Sequence, residues 1–183
     1  MAKFARLSSR RHENLAPSAP EIEDEAQLPS RRVADALTRD SLELFDYFGD
    51  PRTLDAGDIG VRIGVPPDTG ADWEPVGEKL VLRGVQYDDL EIAVDVTPTA
   101  GRGFDSGVLF RVTDCGIGFD RQRGYFAGVV LAENRIIIGK TDGIRWAELN
   151  RVVPRTVIPA RFRLRVRAAG KQILVYLLSL IHI

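Results

Sequence analysis

From residue 42 onward, apolar side chains recur at every second position. Leu42 and Leu44 alternate with Glu43, and Phe45, Tyr47 and Phe48 follow before Gly49-Asp50-Pro51 closes the run. Val61, Ile63 and Val65 alternate up to Pro66-Pro67, and Leu80 and Leu82 alternate with Lys79, Val81 and Arg83. Leu90, Ile92, Val94 and Val96 are separated by Glu91 and Asp95, with Pro98 and Gly101 behind them. Val108, Phe110 and Val112 come next, then a long turn from Asp114 to Gly124, then Tyr125, Ala127, Val129 and Leu131. Ile136 to Gly139 forms a further apolar run. Arg161 to Arg167 alternates arginine with Phe162, Leu164 and Val166, and Ala169-Gly170 turns into Ile173, Val175 and Leu177. Side chains of an extended chain point alternately to opposite faces, so each run is read as a strand with one face on a core and the other in water.

The turns between the runs fit that reading. Glu133-Asn134 suits a tight turn because Asn tolerates positive φ, and Asp142-Gly143 is the strongest hairpin signal in the chain. Together they predict about eight to ten short strands at ~8–12-residue spacing, the pattern of an antiparallel all-β sandwich or barrel. Helical periodicity is absent beyond residue 40, which predicts helix in less than ~15 % of the chain.

The two ends read differently. Residues 17–29 mix Pro17, Pro20 and Pro29 with Glu21, Glu23, Asp24 and Glu25, a composition that buries too little apolar surface to offset the entropy of ordering. Residues 1–40 are therefore expected to be a disordered or linker segment, with a short helical turn over Val33 to Leu37. The folded domain is expected over 41–177. Ser179 to Ile183 resembles the start of a peptide produced when sequencing-adapter DNA is translated, so 178–183 is expected to be a non-native tail and the sandwich to be incomplete at its C-terminal side.

Composition narrows the chemistry. The 183 residues are 44 % hydrophobic and 28 % charged, as in ordinary globular domains. Lys and Arg number 25 against 26 Asp and Glu, a net charge of −1 that argues against nucleic acid as a partner. The lone Cys115 excludes an internal disulfide and a cysteine-based zinc cage. His12 and His182, the two histidines, stand at opposite ends of the chain, which argues against a histidine-centred triad. No apolar run reaches the ~18 residues of a membrane span, and no apolar stretch behind the N-terminal charges resembles a secretory signal.

The order of the runs resembles a known family. Asp89-Leu90-Glu91-Ile92, then Ser106-Gly107-Val108-Leu109-Phe110-Arg111, then Gly124-Tyr125, resembles the concanavalin A-like (laminin-G-like) jelly roll. Within it, the pattern is similar to the 3-keto-disaccharide hydrolase family and to modules appended to glycoside hydrolases. Ser41 to Phe48 resembles the opening strand of that family, Gly77 to Leu82 the second, and Phe162 to Val175 the late hairpin. The resemblance implies a two-sheet antiparallel jelly-roll sandwich, an oligo- or polysaccharide ligand, an attached catalytic domain as a partner, and an extracellular or periplasmic setting. Hydrolase-like members follow the Gly-Tyr pair with Glu and, two positions later, Gln. Here Phe126 and Gly128 take those places, while Arg111 matches the family's arginine. The expectation is thus a non-catalytic carbohydrate-binding or accessory module. A 3-keto-disaccharide-type hydrolase fragment and a laminin-G-like protein-interaction domain stay open as alternatives.

Three residues are expected to bind ligand. Arg111 alternates with Val108, Phe110 and Val112, so it is placed on the outward sheet face, where a guanidinium fork suits hydroxyls and carboxylates. A cross-strand ion pair to Glu91 or Asp95 is the structural alternative. Phe126 is opposite in parity to Tyr125, Ala127 and Val129, so its ring is expected outward between Gly124 and Gly128 as a flat platform for a sugar. Trp146, behind the Asp142-Gly143 turn, is the third, and Trp73 in a Gly- and Asp-rich loop is a lesser candidate. No catalytic residue and no cofactor are assigned. Asp105, Asp114 and Asp120 lack the Asp-x-Asp-x-Asp spacing of a calcium loop and read first as turn residues, with a calcium site or a catalytic carboxylate pair as the alternatives. The row Arg161, Arg163, Arg165 and Arg167 reads as a solvated strand face.

Overall fold

The computed structural model describes residues 2–3, 37–58, 60–64, 76–84, 86–98 and 105–179. Trp73, and the proposed turn over Val33 to Leu37 up to residue 36, lie outside the described residues. Among the described residues the strands are β1 (Ala2–Lys3), β2 (Phe45–Phe48), β3 (Asp55–Ala56), β4 (Val61–Arg62), β5 (Lys79–Leu82), β6 (Leu90–Val96), β7 (Asp105–Thr113), β8 (Arg123–Val130), β9 (Arg135–Asp142), β10 (Trp146–Val152), β11 (Phe162–Ala169) and β12 (Gln172–Ser179). Helix among the described residues is confined to three-residue 3-10 turns.

Two four-stranded antiparallel sheets build the sandwich. One runs in the order β1-β12-β11-β6, and the other is the meander β10-β9-β8-β7. Two-stranded pairs, β2-β5 and β3-β4, flank them. The period-two pattern sets which face is buried. Phe162, Leu164, Val166, Val175, Val129 and Ile136 lie between the sheets at 2 % exposure or less. Phe110 stacks on Tyr125 across the strand pair, ring centres 5.5 Å apart. Asn134, left-handed at φ +48°, closes the β8–β9 turn as its residue type predicts. Its side-chain amide also donates to Pro154 O and Thr156 O and accepts from Ile158 N–H, so it pins the β10–β11 crossover.

Pairing reaches residues toward both ends of the sequence. Ala2–Lys3 pair with Leu177 and Tyr176 along β12, and Arg39 binds the backbone of Ala56 and Gly57. Some of the segment read as linker is thus paired to the sandwich. β12 continues through Leu178 and Ser179, opposite Arg163 and Phe162. At the start of the domain, Leu42–Leu44 is a 3-10 turn and pairing begins at Phe45. With Glu43 and Leu44 both exposed, alternation over those residues does not reflect a buried face.

The arginine row on β11 is a cross-strand ion-pair face. Arg163 forks onto Asp95 (2.6 and 3.0 Å) and Arg165 onto Glu91 (2.9 Å twice). The hydrogen bonds from Arg163 hold the Asp95 carboxyl below the ordinary carboxylate range. The folded state therefore releases this proton more readily than the unfolded chain. The resulting stability is complete above the unfolded carboxylate pKa of ~4 and is lost as pH falls through the lower, folded value. Asp95→Asn is expected to lower the thermal midpoint slightly at pH 7 and to flatten its decline on acidification. The effect is small because both side chains are a third or more exposed. Thermal melts from pH 7 down to pH 2.5 test this.

Candidate functional site

The outer face of the β10-β9-β8-β7 sheet gathers two of the three nominated residues. Cross-strand register aligns Leu109, Phe126, Gly139 and Glu148 in one row, and Gly107, Gly128, Ile137 and Arg151 in the next. Phe126 and Trp146 are both partly exposed here and meet edge to face, with ring centres 6.1 Å apart and planes at 69°. Glycines make room for them. A β-carbon on Gly128 would run into the Phe126 ring, and one on Gly139 into the Trp146 ring and the Ala147 carbonyl. The two rings therefore lie over glycine backbone rather than standing free. Phe126 is outward as its parity predicts, but Trp146 covers part of its edge.

Arg111 is not part of this face. Its strand parity is broken by a bulge, in which Arg111 and Val112 together oppose Gly124. Arg111 takes the left-handed conformation at φ +51°, uncommon for a residue with a β-carbon. Gly124, itself at φ +150°, leaves the space this needs: a β-carbon there would strike Arg111 O and the Val112 backbone. The Arg111 side chain consequently reaches to the opposite sheet. Its guanidinium donates to Asp88 O just before β6 and to Gly170 O in the β11–β12 turn (2.9 Å), with the Asp89 carboxylate 3.6 Å away. The outward position expected for it is corrected to a clamp between the two sheets at one end of the sandwich, and its acidic neighbour is Asp89 rather than Glu91 or Asp95. Arg111→Met is expected to cost ~1–2 kcal/mol of stability through two lost charged hydrogen bonds. Glycan affinity should stay unchanged, as chemical denaturation and titration of the same variant would show.

Two polar residues absent from the sequence-based candidates stand beside the rings. Glu148 and Arg151 both lie in the outer rows and form an ion pair with each other. Three-residue spacing places strand residues on opposite faces, but the β10 bulge between Glu148 and Asn150 restores them to one. The same bulge hides β10 from a period-two reading. The signal that could have found the pair is the Asp142-Gly143 hairpin, which requires a strand behind it. Its turn forms as read, with Gly143 at φ +92° and the Asp142 carboxylate accepting from Ile144 and Arg145 N–H.

Other chemistry is sparse. Among the described residues no group of three or more His, Cys, Asp or Glu side chains is placed to hold a metal, and Asp105 and Asp114 fall at opposite ends of β7. Burial pushes the Cys115 thiol above its ordinary value, which keeps it protonated and poorly nucleophilic at neutral pH. Lys79, 7 % exposed, donates to Gly77 O and Gly118 O (2.6 Å each) and fastens the 114–122 loop to β5. An open hollow of about 520 Å³ beside this loop, lined by Val81, Leu82, Gln86, Val112, Asp114 and Cys115, holds none of the nominated residues. No family model, curated protein or solved structure matches this chain.

Proposed function

We propose that this chain is a carbohydrate-binding module whose ligand lies on the outer face of the β10-β9-β8-β7 sheet. The observation that carries the reading is the edge-to-face pair of Phe126 and Trp146 over a glycine floor. Pyranose rings present an apolar C–H face that packs on an aromatic plane, and burying that face is favourable without any charge. Glu148 and Arg151 alongside supply an acceptor and forked donors for hydroxyl groups at the ring edge. Arg163 and Arg165 are engaged by Asp95 and Glu91 on the other sheet, which favours a neutral glycan over an acidic one. A concanavalin A-like jelly roll working beside an attached glycan-active enzyme is the setting this reading implies.

Calorimetric titration of neutral and acidic oligosaccharides tests it. Neutral glycans are expected to bind, Phe126→Ala to lose ~1–2 kcal/mol of affinity, and Arg163→Ala to behave as the parent. Equal loss from Arg163→Ala would move the site to the arginine face. Absence of binding to every glycan would end the reading.

A further inference from the structure

The β10–β11 crossover presents one arginine on a braced loop. Val153-Pro154-Arg155-Thr156-Val157 follows Val152, the last β10 residue paired with β9. Val153 and Val157 are 64 % and 84 % exposed, and Arg155 and Thr156 between them are exposed as well. From Val153 to Val157 no backbone group bonds another backbone group among the described residues, so the outer edge of this stretch is open to another chain. Arg155 forms no ion pair among the described residues.

A side chain stands in for the missing ladder. The Asn134 amide donates to Pro154 O and to Thr156 O (3.3 Å each) and accepts from Ile158 N–H (2.8 Å). The two carbonyls it holds stand on either side of the Arg155–Thr156 peptide bond. Asn134 is itself fixed in the β8–β9 turn at φ +48°, and Ile158 is buried in the core. Pro154 locks its own φ and restricts Val153 to extended conformations. The backbone around Arg155 is thus held in one shape from the inside, while the Arg155 side chain stays free on the outside.

We propose that this loop is a substrate-like inhibitory site for serine proteases with an acidic primary pocket, with Arg155 entering that pocket. A carboxylate at the base of such a pocket selects a guanidinium. A loose loop of this sequence would be an ordinary substrate. The protease serine attacks the Arg155 carbonyl carbon, the Arg155–Thr156 C–N bond breaks, and the serine proton passes through the catalytic histidine to the Thr156 nitrogen; water then hydrolyses the acyl-enzyme. Here Asn134 grips Pro154 O on the acyl side and Thr156 O on the amine side. The new Thr156 amine therefore stays beside the ester and attacks it, which re-forms the peptide bond and returns the proton to the serine. A loop ordered in advance also binds at little entropic cost, and protease–inhibitor pairs of ordinary area are among the tightest known for that reason. The proposal is independent of the glycan reading, since none of these residues belongs to the Phe126–Trp146 face.

Hydrolysis of a chromogenic arginine substrate by trypsin, titrated with the full chain, tests it. Competitive inhibition is expected, with chymotrypsin, whose primary pocket is apolar, unaffected. Arg155→Ala should weaken inhibition about a hundredfold, and Arg155→Lys should retain it; the site is exposed, so both variants stay folded. Asn134→Gly keeps the left-handed turn but removes the amide. It should weaken inhibition roughly tenfold and speed cleavage, read by mass spectrometry as fragments that end at Arg155 and begin at Thr156. Absence of inhibition, or inhibition that survives Arg155→Ala, would overturn the proposal. So would cleavage of the parent at Arg155 as fast as that of Asn134→Gly, which would make the crossover an ordinary substrate.

Discussion

Trp146→Ala is expected to weaken glycan binding by ~2 kcal/mol, about thirtyfold in Kd, while the protein stays folded. Two losses combine. The indole itself is removed as a stacking surface, and Phe126 loses the ring that abuts it at 6.1 Å, so the platform loses its fixed shape. Gly139 is left bare, since the indole fills the space above it. Because Trp146 is only partly buried and begins β10 at the margin of the sheet, the cost to stability should be minor. Titration alongside a thermal melt separates the two effects. A melt unchanged with affinity also unchanged would remove Trp146 from the site.

Phe162→Ala is expected to have the largest effect on the fold, ~3–5 kcal/mol, the range for truncating a fully buried phenylalanine. Phe162 is 0 % exposed and begins β11, the strand that joins β6 to β12. It faces Val96 on one side and Ser179 on the other, so the cavity would open where three strands meet. Domains of this size are stable by only ~5–15 kcal/mol, so the variant should unfold at much lower urea concentration than the parent. Ile117→Ser, 60 % exposed in the 114–122 loop, should not move the midpoint. A parent-like midpoint for Phe162→Ala would mean that the two sheets do not share a tightly packed core.

The strands that bury one face were legible in the sequence. Leu90, Ile92, Val94 and Val96, Phe162, Leu164 and Val166, and Ile173, Val175 and Leu177 all turn toward the other sheet as their alternation predicts. Phe126 and Trp146, both singled out from the sequence, meet on the outer sheet face. Bulges defeated the rest. At Arg111 an extra residue in left-handed conformation reverses the side chain, and no glycine at that position announces it; the glycine that permits it, Gly124, is on the neighbouring strand. In β10 the bulge destroys alternation, so the strand and its Glu148–Arg151 pair give no periodic signal. In β9, Ile136, Ile137 and Ile138 are all buried, so the residues themselves cannot say which face meets the core.

The most direct test of glycan binding at the aromatic pair uses the indole N–H groups as reporters. The chain has two tryptophans, Trp73 and Trp146, which give two indole signals in a proton–nitrogen correlation spectrum, assignable with Trp146→Phe. On titration with the neutral oligosaccharide that binds most tightly, the Trp146 indole signal should shift and saturate together with the backbone amides of Phe126, Gly128, Gly139 and Glu148. The amides of Arg163 and Arg165 should remain in place. Saturating shifts confined to the β11 arginine face or to the 114–122 loop, with the Trp146 indole unmoved, would contradict the account.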